Sequence, residues 1–405
     1  MIEVPVVDPY APEAMNAPGS YYDALRENCP VAKVDDGDRS FYIVSGYDRV
    51  VEVMNNHDRW SKIDGALLQK TEHEIALSQD PPTFTEFRRT YINYLSPAGV
   101  KRWADEIRRM ASGMLDEILP HGRGDFHDLF AMPLPMRVMA LLLGIPQDRL
   151  EQYKSWSNTF MRAAFNDPAE AAEAIETLYA FFDEQFDQRR ATLRAAGIEE
   201  PKPEHVGPVI SDDLISVLMT ARFQGRLLTN DELRRTTRGF FIGGNETTTS
   251  LILNMLVRLN EVPERWERIK AEPAIISNVV EESLRCDPPT IGMFRGAACP
   301  VEMDGVTIPE NARVIYAIPS ANRDPKIFAR PTEFLIDRPQ SERSRHVAFS
   351  FGSHFCPGAW VSRMEARIAF ELIVEKMPNL RITGPGVRIA PFNFWGLRSL
   401  PVAWD

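Results

Sequence analysis

The chain has 405 residues and a net charge of −11, from 46 Lys+Arg against 57 Asp+Glu. Hydrophobic residues at 44% and charged residues at 25% support a sizeable core and exclude wholesale disorder. The acidic balance argues against a nucleic-acid binder, and no apolar run approaches the roughly 18 residues of a membrane span.

At about 150 residues per domain, the length allows two or three domains or one large one. Met1-Ile2-Glu3-Val4 is not a basic start and no apolar stretch follows, so no signal peptide is expected. Cys29, Cys286, Cys299 and Cys356 show no paired spacing. A reducing cytoplasm is therefore the expected location, and each thiol is available as ligand or nucleophile.

In chain order, Tyr21 to Arg26 reads as helical. Val31 to Val44 reads as a hairpin around Asp35-Asp36-Gly37-Asp38. From Asp48 the period becomes helical. Helices are expected over 98–119, 149–163, 168–195, 230–260, 273–286 and 358–376, the last stopped by Pro378. Ile198 to Ser211, with Pro201, Pro203, Gly207 and Pro208, reads as a surface connection. Val301 to Pro319 is a second β region with a hairpin turn at Asp304-Gly305. Asn322 to Ser344 is long, Pro-rich and irregular. No internal repeat is visible. The expected class is mostly α with minor β, α+β in layer terms.

The chemistry concentrates in His346-Val347-Ala348-Phe349-Ser350-Phe351-Gly352-Ser353-His354-Phe355-Cys356-Pro357-Gly358. Cys356 ends an irregular loop and precedes a helix, whose positive end favours thiolate. Gly352 permits a tight turn, and Gly358 lets a flat object approach the helix. Arg345, His346 and His354 add positive charge. On these residues alone Cys356 reads as a metal-binding thiolate, a nucleophile or a structural cysteine. The pattern Phe349-x-x-Gly352-x-x-x-Cys356-x-Gly358 resembles the haem-binding loop of the cytochrome P-450 family. The resemblance implies haem b with Cys356 on the iron, Phe349 and Gly358 in the cofactor loop, and His354 as a propionate ligand. A thiolate pushes electron density onto iron and favours O–O cleavage. The family usually has a non-proline residue where Pro357 stands. Pro357 lacks an N–H, so one fewer N–H···S contact is expected.

Gly243-Gly244-Asn245-Glu246-Thr247-Thr248 lies within the expected helix 230–260. Two helix-interior glycines cost about 1 kcal/mol each against alanine. They read either as a kinked core helix with a solvated Glu or as a groove for a close approach. The run resembles the family's oxygen-activating segment, which implies a catalytic proton-relay pair, Glu246 and Thr247. Glu282-Ser283-Leu284-Arg285 places two opposite charges on one helix face, where an ion pair is expected anyway. It resembles the family's E-x-x-R, which implies a structural lock of Glu282 and Arg285 with Arg338. Arg295-Gly296-Ala297 resembles the family's R-x-A strand, and Asp80-Pro81-Pro82 with Arg88 resembles the approach to its third helix. Both arginines would bind haem propionates. Many bacterial members have His where Phe84 stands, which removes one such contact.

The family's substrate-contacting segments fall on Gly239, Ile242, Gly243, Thr290, Ile291, Met293, Phe394 and Trp395, with Phe160 and Phe165 on a roof helix. None is charged, so a neutral apolar substrate is expected, oriented by Thr290 or Asn393. Terpenoids, norisoprenoids, aromatics and steroids fit that description. Lys62 and Lys70 qualify it.

The landmarks span residues 80–358 in order, which implies one domain over 1–405. No G-x-G-x-x-G half or iron–sulfur cysteine pattern is present, so no fused reductase is expected. Arg88, Arg89, Lys101, Arg102, Arg343, Arg345 and Arg363 would form a basic face for an acidic ferredoxin. Nothing demands more than a monomer, and no membrane or nucleic-acid partner is expected. The expected reaction is oxygen insertion from dioxygen. A haem-thiolate enzyme of another type and a haem sensor are the alternatives.

Overall fold

Alternating apolar residues build the expected hairpin: Val31–Val34 runs antiparallel to Phe41–Val44, with Val31 opposite Val44. The computed structural model describes residues 6–35, 37, 40–69, 78–166, 168–389 and 392–405. Asp36 and Asp38 of the expected turn, and Lys70, lie outside the described residues, as do the side chains of Phe160 and Phe165.

The hairpin joins a larger sheet. Phe41–Val44 pairs in parallel with Arg313–Tyr316, which pairs antiparallel with Phe294–Ala297. Trp60–Ser61 forms the far edge, with Ser61 opposite Gly296 and Trp60 opposite Ala297. The two β regions of the sequence thus meet in one five-stranded sheet. The Asp304-Gly305 turn closes a separate hairpin, Val301–Met303 against Val306–Ile308. Asp304 and Gly305 have φ of 50° and 78°, the left-handed pair that a tight two-residue turn requires.

Most expected helices form with shifted ends. The 98–119 pattern splits into Pro97–Lys101 and Ala104–Ile118. Leu150–Asn166, Pro168–Ala195 and Ala359–Lys376 follow their patterns closely. Ile276–Cys286 is preceded by a single 3₁₀ turn, Pro273–Ile275. The 198–211 connection carries only a short 3₁₀ turn, Pro203–His205. The 322–344 segment stays irregular except for Gln340–Arg343.

Two departures position the site. The expected helix 230–260 is two helices, Asn230–Gly243 and Glu246–Asn260, broken at Gly244 and Asn245. A further helix, Pro133–Leu143, was not foreseen. It buries eight of its eleven residues, so it lacks the apolar stripe that betrays a surface helix. The main core surrounds Glu246–Asn260, which buries an unbroken run from Thr248 to Leu256. Among the described residues, no helix is long and apolar enough to cross a membrane.

Candidate functional site

The cysteine loop is folded by its own backbone. Cys356 N–H donates to Phe349 O at 2.8 Å, and Phe355 N–H to Gly352 O at 3.1 Å. Gly352 has φ +67°, and a Cβ there would lie 2.1 Å from Asn55 Oδ1, so both backbone and space demand glycine. At Gly358 the nearest atom a Cβ would meet is Cys356 Sγ at 3.9 Å. No protein atom crowds that face, which leaves it open to a flat group. All four cysteines are free.

Burial pushes the Cys356 thiol up, contrary to the thiolate bias expected from the helix terminus. The Gly358 N–H to Sγ and the charges of Arg88, Arg363 and Lys62 pull the other way. Burial wins in the protein alone. A metal ion would reverse that balance, because a coordinated thiol gives up its proton.

Above this loop the structure gathers cations. Arg295 is 1% exposed and donates from Nη1 to Phe294 O at 3.2 Å, yet its Nε and Nη2 are buried without a partner. Both ring nitrogens of His354 are likewise buried and unpartnered. Its ring stacks on Phe84 at 4.0 Å and meets His57 edge-on at 5.3 Å. Arg88 Nη1 lies 3.4 Å from Ser353 O. Burial first, then the charges of Lys62, Arg295, His57 and Arg88, hold His354 neutral well below the usual imidazole range. Burial and the facing Arg295 pull Lys62 down to about 7. Buried unpaired donors are costly, and these donors lack an anion. Two carboxylates, as on a haem, suit this set. His57, Asp80 and His354 also come within 4.8 Å of one another, but the surrounding cations make that trio unfit for a metal ion.

The glycines of the broken helix serve different ends. A Cβ on Gly244 would lie 2.4 Å from Met139 Sδ, so glycine is needed for helix Pro133–Leu143 to pack. A Cβ on Gly243 would meet nothing within 4 Å. Thr247 Oγ1 donates to Gly243 O at 2.9 Å, across the break. Glu246 opens the second helix, and burial raises its carboxyl above the usual range, opposed by the charge of His127. Asn245 Nδ2 donates to Ser157 Oγ at 3.1 Å and anchors the break from the far side.

The E-x-x-R residues are fully buried. Glu282 accepts from Arg285 Nε at 2.9 Å and Nη2 at 2.7 Å, and from Arg338 Nε at 2.8 Å. Arg285 also donates to the carbonyls of Asn322, Pro331 and Glu333, and Arg338 to those of Ala329, Arg330 and Glu333. Side chains thereby satisfy the backbone that the irregular 322–344 segment leaves unpaired.

The expected basic face is thinner than its sequence. Arg363 is bound by Glu281, Arg102 by Asp212 at 2.7 Å, and Arg88 faces the His354 cluster. Arg343 Nη1 donates to Arg338 O at 3.0 Å. Arg89, Lys101 and Arg345 remain exposed.

The expected pocket is partly assembled. Residues 289–291 run beside 393–395: Thr290 bridges Phe394, Ile291 N–H donates to Asn393 O, and Trp395 N–H to Pro289 O, both at 2.8 Å. Gly239, Ile242 and Met293 are half-buried, and Gly243 is exposed. Ile291 is 2% exposed and packs in the core with Tyr22, Leu25 and Trp395. Trp395 stacks on Arg388 at 3.6 Å and donates from Nε1 to Asp287 at 3.3 Å. Both are buried, as is Thr290. Asn393 is buried with neither amide atom hydrogen-bonded.

Sequence reasoning missed the Glu281–Arg363 pair and the placement of Lys62 and His57. No spacing signals either, since each contact joins distant segments.

The cytochrome P450 family model matches residues 11–378. A putative cytochrome P450, YjiB of Bacillus subtilis (strain 168), is 30% identical over 393 residues, 95% of this chain and 93% of that protein. The fold is similar to the cytochrome P450 PksS of the Bacillus subtilis 168 bacillaene polyketide synthase, with TM-score 0.87 and 26% identity over 98% of this chain and 100% of that one. It is also similar to CYP109E1 from Bacillus megaterium in complex with testosterone, with TM-score 0.81 and 28% identity over 98% and 100% of the two chains.

Proposed function

This chain belongs to the cytochrome P450 family, and on that premise we propose that it hydroxylates a small, neutral, largely apolar molecule with electrons from a separate acidic ferredoxin. It is a haem-thiolate monooxygenase, and its cofactor is haem b. Haem b on a thiolate supplies the activation of dioxygen and the insertion of one of its atoms into substrate. In this reading Cys356 holds the iron, and Arg88, Arg295 and His354 hold the propionates. Phe349 O fixes the Cys356 backbone, and Gly358 lets the macrocycle approach. Glu246, whose burial raises its carboxyl above the usual range, would give up protons that the Thr247 hydroxyl positions.

One observation carries the substrate class. A Cβ on Gly243 would meet no atom within 4 Å, and the residues assigned to the pocket, Gly239, Ile242, Thr290, Met293 and Phe394, carry no charge. Burial raises the Glu246 carboxyl, and the charge of His127 opposes it. The testosterone held by CYP109E1 favours steroids among the neutral candidates, which otherwise include terpenoids, norisoprenoids and aromatics. Exposed Arg89, Lys101 and Arg345 are the groups left to steer an acidic ferredoxin.

The test is a visible-spectrum titration of the ferric protein with neutral steroids, terpenoids, norisoprenoids and aromatics, with fatty acids as the charged control. A blue shift of the main haem band by a neutral class supports the reading and names the class. A shift by fatty acids alone overturns it.

A further inference from the structure

Lys62 lies where the edge of the five-stranded sheet runs on past its last pair. Ser61 stands opposite Gly296 in the antiparallel register. The next position on each strand sets Lys62 against Arg295. The Lys62 backbone N–H donates to Asp80 Oδ1 at 2.9 Å, and Ser61 Oγ binds the other carboxylate oxygen. Asp80 thus fixes the backbone here, yet forms no ion pair with the Lys62 ammonium. Among the described residues, Lys62 has no carboxylate within ion-pair distance.

Like charges directly opposite on a ladder repel. Here Lys62 faces two other cations, Arg295 and Arg88. An anion placed among these cations would relieve that repulsion. The unpartnered Arg295 Nε and Nη2 and the unpartnered His354 ring mark where that anion belongs. Phe84, which stacks on His354, can supply no hydrogen bond to it.

We propose that Lys62 is a propionate-binding residue, an ammonium that takes up the contact Phe84 cannot make and completes a carboxylate site with Arg88, Arg295 and His354. The same chemistry could serve a carboxylate on the substrate. The haem is the better source, because Lys62 follows the Ser61–Gly296 pair toward Arg295, whose buried Nε and Nη2, like both ring nitrogens of His354, have no partner. The inference rests on haem b as cofactor, and not on which substrate is used.

The experiment follows haem loss from the holoprotein to excess apomyoglobin by the main haem band. K62M should release haem about tenfold faster than wild type, as loss of a hydrogen bond to a charged group implies. F84H placed in the K62M background should restore slow release, since an imidazole there adjoins the His354 ring. Reconstitution with the dimethyl ester of haem should abolish the difference between K62M and wild type. Equal release of native haem from K62M and wild type overturns the proposal. So does an equal acceleration by K62M with native haem and with the diester, which would mean that Lys62 acts through the fold. Unchanged haem release together with lost fatty-acid binding would assign Lys62 to substrate and also overturn it. A protein that takes up no haem at all would instead refute the cofactor.

Discussion

Arg363 donates to both carboxylate oxygens of Glu281, Nε to Oε1 at 2.6 Å and Nη2 to Oε2 at 2.9 Å. The same guanidinium lies 4.5 Å from the ring centre of Phe349, and His346 Nε2 approaches Glu281 Oε2 at 2.9 Å. One carboxylate thus ties helix Ile276–Cys286 to both ends of the cysteine loop.

That pair sets an acid dependence of stability. Burial alone would raise Glu281, but His346 and Arg363 outweigh it and hold the carboxyl at about 2. A depressed folded value stabilises above the unfolded value and is lost as pH falls through the folded one. The shift corresponds to about 3 kcal/mol. E281Q should therefore be less stable than wild type in urea at neutral pH. The gap should narrow between about pH 4.5 and pH 2. A gap constant over that range would show that the pair contributes nothing through ionisation.

Cys356 Sγ has a donor in the Gly358 N–H, while Pro357 supplies none. P357L adds an N–H that can approach the sulfur and withdraw electron density from it. Its haem reduction potential should rise, as read by spectroelectrochemical titration. No change or a fall would show that the added N–H does not reach sulfur.

The adjacent glycines should respond in opposite ways. G244A forces a Cβ against Met139 Sδ and should cost about 1–3 kcal/mol in urea unfolding, partly recovered by M139A. G243A meets no protein atom and should be neutral or stabilising by up to about 1 kcal/mol, as helix propensity allows. Its effect should appear instead as weaker binding of the bulkier neutral ligands.

Burial keeps Glu246 protonated beyond the ordinary carboxylate range. A proton donor is active below its pKa, so turnover should fall as pH rises through that raised value. E246Q should remove this limb of the pH profile. T247A, which loses the hydroxyl held on Gly243 O, should consume reducing equivalents but divert oxygen to hydrogen peroxide. Tight coupling of oxygen uptake to product in T247A would exclude that role.

What the sequence revealed depended on the range over which each contact acts. The Cys356 loop is made by hydrogen bonds between close neighbours, Cys356 to Phe349 and Phe355 to Gly352, and a local pattern announces it. The hairpin is likewise local, and alternation marked it. Its parallel union with Arg313–Tyr316 left no mark, because strand pairing across most of the chain has no periodic trace. Helix Pro133–Leu143 escaped because burial on every side erases the stripe that reveals a helix. The break at Gly244 was hidden for a related reason. The glycines were visible, but the sulfur that requires one of them lies on another helix. The run of 289–291 beside 393–395 was hidden too, because a single bridge between distant segments has no local trace. Lys62 acquires its meaning from a register that only the folded sheet defines.

Glu281 and Glu282 are consecutive on one helix, yet they hold different things. Glu281 takes Arg363 and His346 beside the sulfur, and Glu282 takes Arg338 within the irregular segment. Neighbouring helical side chains diverge by about 100°, so neither grip can slacken by rotation of the helix without loosening the other. Asn322 Oδ1, which accepts the Val347 N–H at 2.8 Å, binds the two regions once more. The cysteine loop and the order of residues 322–344 are therefore one mechanical unit. On heating they should be lost together in a single concerted event, with no stage in which the cysteine loop lets go while that long irregular stretch remains in place.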